Sequence, residues 1–267
     1  MTIFLKSTEN IENIRRAGRI ASTILSALPF YLKPGATTKY IDGVIEQMIR
    51  DMGGTAPCKG YIHGELPPYP AASCISVNSQ AVHCIPSNCV IKEGDVVKVD
   101  LVVGFNGWNA DTARTYLIPP ITAEIQKFTE TCYLSMWEGL KKATVGNKIN
   151  EIGFAIENFV KPHNYGISRS FVGHGIGKSI HEDPRIPSFY LKEADQLICA
   201  GMVLAIEPII FTTQDSEVIF DGWNTIAKQN GVVSHFEHTC VILPTGKPEI
   251  LTLREEEKQF LPNLLEK

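Results

Sequence analysis

The chain has no run of about 18 apolar residues, the length a helix needs to cross a membrane. It also lacks a basic start followed by an apolar core and a small-residue cleavage site. Secretion and membrane spanning are therefore not expected. Positive charge is not in excess: 25 Lys and Arg stand against 29 Asp and Glu, a formal net charge of −4, which argues against an electrostatic nucleic-acid binder. None of the seven cysteines forms a Cys-x-x-Cys pair, so they read as reduced thiols in a cytosolic protein and not as a disulfide frame or a thiolate zinc site. Several catalytic signatures are missing as well. There is no Gly-x-Ser-x-Gly elbow, no local cysteine-protease signature and no His-Glu-x-x-His. What is plentiful is apolar: 44% of the 267 residues are hydrophobic against 20% charged, enough to bury a sizeable core.

The apolar residues recur at helical spacing from Thr8 to about Leu32, with Ile14, Ala17, Ile20, Ala21, Ile24 and Leu25 on one face, until Lys33-Pro34-Gly35 breaks the pattern. Thr38 is then the expected N-cap of a second helix carrying Ile41, Val44, Ile45, Met48 and Ile49 up to Gly53-Gly54. The chain does this again: a helix from Thr122 to about Lys142, Gly146, and a helix capped by Asn150 with Ile152, Ala155, Ile156, Phe159 and Val160. Setting Gly35 over Gly146 puts Ile41 on Ile152, Ile45 on Ile156 and Ile49 on Val160. The strands repeat too. Gly94 to Asp100 and Gly201 to Glu207 each run from a glycine through apolar β-formers to a carboxylate, and Asp111 and Glu237 each stand at the head of a following strand. These parallels imply one domain over residues 1–267. It is an α+β fold of two pseudo-twofold halves, about 8–118 and 122–250, that gathers four acids at its centre.

A carboxylate among Val, Ile and Leu costs several kcal/mol to take out of water, roughly, unless it is paired or binds a cation. Asp100 shares its strand face with Lys98, which leaves a lysine pair as one alternative, but a bridging cation would satisfy several acids at once. Beside them stands Gly173-His174-Gly175-Ile176-Gly177, whose glycines let backbone approach closely and place an imidazole without crowding. It lacks the Lys-Ser/Thr ending of a phosphate loop. Four carboxylates and one imidazole form a hard, oxygen-rich set suited to two divalent ions about 3.5–4 Å apart, of Mn, Fe, Co or Zn.

Taken in order, Ser76-Val77-Asn78 leading to His83, Lys98-Val99-Asp100, Asn109-Ala110-Asp111-Thr112, Gly173 to Gly177, Ala205-Ile206-Glu207-Pro208 and Phe236-Glu237-His238-Thr239 resemble the type I, bacterial-like methionine aminopeptidases. The resemblance runs from the first helix through Leu251 and implies the pita-bread fold, with a curved antiparallel sheet covered by helices. It implies that Asp100, Asp111, His174, Glu207 and Glu237 hold two divalent ions, with Asp111 and Glu237 bridging. Glu207 would also take the proton of the attacking water. His83 and His181 would face the scissile peptide without binding metal, and Cys58, Tyr61, Tyr69, Cys74 and Trp223 would wall a methionine slot. The implied activity is removal of the N-terminal methionine from nascent chains when the next residue is small, by a cytoplasmic monomer working near the ribosome.

The chain departs from that pattern at four places. The stretch Gly60 to Pro70 is longer, Cys84 follows His83 where glycine is common, Ile180 replaces an aromatic, and Ser79 stands where an acid is common. Two alternatives remain at this stage. A proline-directed aminopeptidase or prolidase uses the same ligands but carries a large N-terminal extension, and an inactive binding module would have no need to confine four acids. Thr2 is small enough for this protein's own Met1 to be removed.

Overall fold

The computed structural model describes residues 3–265; Met1 and Thr2, on which the expectation of Met1 removal rests, lie outside the described residues. Its first half comprises α1 (Thr8–Ala27), α2 (Thr38–Asp51), β1 (Cys74–Val77), β2 (Val96–Phe105) and β3 (Trp108–Leu117). Two helices follow, α3 (Ala123–Lys142) and α4 (Ile149–Val160), then short strands β4 (Gly166–Ile167), β5 (Gly173–Gly175) and β6 (Glu182–Ile186). The rest of the second half is β7 (Val203–Ile206), β8 (Ile209–Phe211), β9 (Val218–Asp221), β10 (Asn224–Ala227), β11 (Val233–His235), β12 (His238–Ile242) and β13 (Pro248–Ile250). A 3-10 turn over Glu255–Phe260 leads into α5 (Leu261–Leu265).

Every strand pair is antiparallel, and the expected single sheet is divided. β1-β2-β3 form one sheet and β13-β12-β7-β5-β6 another, with β11-β8-β4 and the β9-β10 hairpin apart. Strand alternation explains where the helices and acids go. Val97, Val99, Leu101 and Val103 of β2 pack with Ile14, Ile24, Ile41 and Ile45 of the helices, so Asp100 faces the other way. Leu204 and Ile206 of β7 pack likewise with Phe128, Met136, Ile152 and Ile156. Glu207 follows on the opposite parity at the strand's end.

Helix starts differ from expectation by one or two residues. Thr37 caps α2, its hydroxyl accepting from the Tyr40 amide, because the Thr38 hydroxyl is engaged with the backbone of Ser87. α4 starts from Lys148, whose amide donates to the Glu151 carboxylate, while Asn150 lies inside the first turn with its amide on the Ala194 carbonyl. Thr37 and Lys148 are themselves matched positions: each forms an isolated bridge, to Val90 and Leu197. The Gly35 amide donates to the Ile91 carbonyl as that of Gly146 does to Ile198, and the Gly94 amide to Ile118 as that of Gly201 does to Ile242. α1 ends at Ala27, and residues 28–30 form a 3-10 turn short of Leu32.

The two main sheets meet along β3 and the β11–β12 segment through threonine hydroxyls. The Thr115 hydroxyl donates to the His235 carbonyl at 2.7 Å and accepts from the His235 amide at 2.9 Å. The Thr239 hydroxyl does the same for Asp111, at 2.7 and 3.0 Å. At the centre the Glu237 amide donates to the Ala113 carbonyl. This reciprocity corrects the expected symmetry of the acids: Asp100 matches Glu207, but Asp111 occupies the place of His235, and Glu237 that of Ala113. Asp111 also lies inside β3, not at its head.

Replacing either hydroxyl by a methyl leaves a buried N–H and C=O unpaired. Thr115→Val and Thr239→Val should each lower unfolding free energy by roughly 1–3 kcal/mol. Urea denaturation checks this, and two losses of similar size are expected from the shared geometry.

Candidate metal centre and substrate cleft

Asp100 and Asp111 come from β2 and β3, Glu207 from just after β7, Glu237 from just before β12, and His174 from the middle of β5. His174 pairs with Ala205 of β7 and therefore sits one strand from Glu207. The glycines beside it are required by close approach: a Cβ on Gly173 would lie 2.4 Å from the Ala205 carbonyl oxygen, and one on Gly175 2.2 Å from that of Asp183. The His174 Nδ1 hydrogen donates to the Gly175 carbonyl at 2.9 Å, which leaves Nε2 as a lone pair aimed at the acids. Nε2 lies 3.4 Å from a Glu207 oxygen and 3.9 Å from one of Asp111. Burial, and then the neighbouring His181, lower the His174 pKa to about 3, so the ring is neutral and free to ligate.

The acids are in the opposite condition. Burial, followed by their mutual repulsion, raises Asp100, Glu207 and Glu237 well above the ordinary carboxylate range. Asp111 is raised to about 6, again by burial. Among the described residues no lysine pairs with them: Lys98 is buried, and its ammonium donates to the Asn78 carbonyl at 2.8 Å. Asp111 Oδ1 and Glu237 Oε1 are buried with no hydrogen-bond partner. Ligand atoms of Asp111, His174 and Glu237 lie within 4.8 Å of one another. Buried acids with orphaned oxygens beside a neutral imidazole fit divalent cations, and five oxygen and nitrogen donors suit a hard or borderline metal.

His83 and His181 line the same cleft without joining that group. His83 has a positive φ of 59°. Burial, and then His181 and His63, lower its pKa to about 4. His181 lies in a loop held by the Asn109 side chain, which donates to the Gly177 and Lys178 carbonyls, and by the Lys6–Glu182 ion pair at 2.7 Å. Its ring centroid is 4.5 Å from that of His174, and its Nδ1 lies 2.7 Å from the Tyr61 hydroxyl. Burial keeps Tyr61 neutral, and its hydrogen bond with Nδ1 fixes the orientation of the His181 ring.

The expected slot residues Cys58, Tyr61, Tyr69, Cys74 and Trp223 all line the cleft, whose volume is about 1300 Å³. Both tyrosines face Trp223, with centroids at 5.2 Å for Tyr69 and 6.4 Å for Tyr61. The long 60–70 stretch folds over this cluster: Leu66 packs on it and the Trp223 indole donates to the Pro67 carbonyl at 2.8 Å. Cys84 is turned away, its thiol toward the Val82 and Thr225 carbonyls, while Ile180 takes part in the lining.

The sequence reading missed His235. It is buried, 3.7 Å from a Glu207 oxygen, and neither ring nitrogen has a hydrogen-bond partner. Burial, and then His83 and Lys98, lower its pKa to about 3. Matching Thr115 to Thr239 would have found it opposite Asp111.

The family model for metallopeptidase family M24 matches residues 12–244. A methionine aminopeptidase of Clostridium perfringens is 38% identical over 252 residues, covering 94% of this chain and 99% of that one. The crystal structure of a methionine aminopeptidase from Thermotoga maritima superposes with a TM-score of 0.89 at 29% identity, covering 95% of this chain and 100% of that one. A prolidase from Pyrococcus furiosus shares the fold at a TM-score of 0.75 and 23% identity, this chain covering 66% of its length. The architecture is the pita-bread fold shared by these neighbours.

The strained acids make a sign-specific prediction. A carboxylate whose folded pKa exceeds its unfolded value near 4 opposes folding once ionised, a cost that develops between about pH 4 and 6 and is complete above. In chelator-treated protein, Asp111→Asn should therefore raise unfolding free energy at pH 8 by on the order of 1–3 kcal/mol. The gap should narrow on acidification to pH 4.5, read by urea denaturation at both pH values. This need for cations, the order of the acids along the chain and the match across most of its length lead to one conclusion: the chain belongs to metallopeptidase family M24.

Proposed function

We propose that this chain removes the N-terminal methionine of nascent proteins whose second residue is small. The supporting observation is the convergence, in one cleft, of orphaned Asp111 and Glu237 oxygens, the His174 lone pair and a slot of sulfur and aromatic side chains. Asp100, Asp111, His174, Glu207 and Glu237 would hold two divalent ions, of Mn, Fe, Co or Zn. Bound there, such ions supply a water acidified toward neutrality and a Lewis acid for the peptide carbonyl. Glu207 accepts the proton of the attacking water at its cleft-facing carboxylate. His181 donates from Nε2 to the carbonyl oxygen as negative charge develops on it. His83 lies on the departing-nitrogen side, neutral and available to hydrogen-bond there. The methionine thioether packs between Cys58, Cys74 and the edges of Tyr61, Tyr69 and Trp223.

In this reading residues 1–267 are one catalytic domain built from halves 8–118 and 122–250. It works as a monomer in the cytoplasm, close to ribosomes, and takes no nucleic acid as substrate. Among the described residues no helix is long and apolar enough to cross a membrane.

Asp111→Asn and Glu237→Gln should each abolish hydrolysis of Met-Ala-Ser and lower bound metal. His181→Ala should slow turnover by about 100-fold or more with metal content unchanged, as for loss of one oxyanion donor. Metal analysis alongside peptide kinetics checks both. The same assay run with Xaa-Pro peptides separates a methionine aminopeptidase from a proline-directed relative, and an absence of turnover on either series points to a binding module.

A further inference from the structure

Residues that follow β13 place a buried group of charges beside the strands that carry the acids, and the proposed mechanism does not use it. Thr252, Arg254 and Glu257 are each 2% exposed or less, and none of them lines the cleft. Arg254 and Glu257 form an ion pair. The guanidinium donates from Nε at 2.9 Å and reaches the same Glu257 oxygen from Nη2 at 2.7 Å, while the other oxygen accepts the Arg254 amide at 2.9 Å. A buried pair of this kind is often no more stabilising than an apolar filling of the same volume, so what it holds in place matters.

Side chains alternate along β3, so Thr112 points away from the face that Asp111 presents to the cluster. On that far side the Arg254 Nη1 donates to Thr112 Oγ1 at 3.3 Å, and the Thr112 hydroxyl donates to the Glu237 carbonyl at 2.8 Å. A guanidinium only donates, so the Thr112 oxygen accepts from it and the single hydroxyl proton is left for the carbonyl. The Glu237 backbone is then held on both sides, its amide on Ala113 and its carbonyl on Thr112. A second tie runs parallel. Thr252 Oγ1 accepts the Thr239 amide at 3.1 Å, and Thr239 is the residue whose hydroxyl brackets the Asp111 backbone. Asp111 Oδ1 and Glu237 Oε1 have no hydrogen-bond partner of their own, so the backbone beneath them carries the task of placing the two carboxylates.

We propose that Arg254 is a positioning residue for the metal centre: through Thr112 Oγ1 it fixes the backbone of Glu237 against that of Asp111, and thereby the spacing at which these carboxylates hold cations. The proposal rests on the two-ion reading above.

The test uses the full chain, stripped with a chelator and titrated with cobalt; calorimetry reads affinity and visible absorption reads the coordination of the bound ion. Arg254→Met is combined with Glu257→Gln so that no unpaired charge is left buried. This double variant, and Thr112→Val separately, should each weaken cobalt binding by about 10- to 100-fold, the usual loss when a group supporting a metal ligand is removed. The cobalt absorption bands should shift as well. Thr112→Ser keeps the hydroxyl and should keep wild-type affinity and spectrum. Adding Thr112→Val to the double variant should weaken binding little further, since both act through one hydroxyl. Wild-type affinity and spectrum in folded Thr112→Val and in the double variant, with only urea stability lowered, would show a structural role alone and overturn the proposal. Losses that multiply in the combined variant overturn the route through Thr112. If the double variant does not fold, Thr112→Val against Thr112→Ser decides. Wild-type protein that binds two ions but leaves Met-Ala-Ser uncut takes down the aminopeptidase reading alone, whereas wild-type protein that binds no cobalt takes down this proposal together with the two-ion reading.

Discussion

Mutual repulsion among four half-buried or buried carboxylates is the constraint from which the rest of this structure follows. Folding alone does not relieve it. Lys98, the nearest lysine in sequence, points to the Asn78 carbonyl, and His174 and His235 are held neutral by burial. The two halves bury their apolar faces under separate helix pairs, and that burial drives the acids together. The energy spent on confining them is recovered when cations bind, which couples metal affinity to stability.

The seam between the halves sets the site's geometry. Thr115 and Thr239 tie β3 to the β11–β12 segment by hydroxyls, not by a continuous ladder, and each fixes the backbone of a residue that faces the cluster. Asp111 and His235 are thus related by the fold's own symmetry but differ in chemistry. One half contributes an acid where the other contributes a neutral imidazole, and the second half's other acid, Glu237, stands where the first half has Ala113. A single hydrogen bond orients each of two further cleft histidines: Nδ1 of His174 donates to the Gly175 carbonyl, and Nδ1 of His181 is paired with the Tyr61 hydroxyl.

Much of this was legible in the chain. The glycine-to-carboxylate frames ending at Asp100 and Glu207, and the paired helices after Gly35 and Gly146, are local patterns repeated, and repetition is visible without tertiary information. The expected match of Asp111 with Glu237 was wrong, because strand register depends on which carbonyl the Glu237 amide reaches, that of Ala113, a contact across the seam. His235 was missed for the same reason. Caps at Thr37 and Lys148 displaced the expected Thr38 and Asn150 because Ser87 and Ala194, distant in sequence, claim the latter two. The long 60–70 stretch could not be placed from composition, since it is held by the Trp223 indole from the other half.

The most direct measurement is titration of Mn or Co into chelator-stripped protein at pH 7.5, followed by calorimetry and thermal unfolding. The account predicts two ions per chain, protons released as the strained acids ionise, and a stabilisation that reaches about 2.7 kcal/mol at a hundredfold excess over the dissociation constant. Protein that binds no ion, or binds one with neither proton release nor a change in thermal stability, would contradict it.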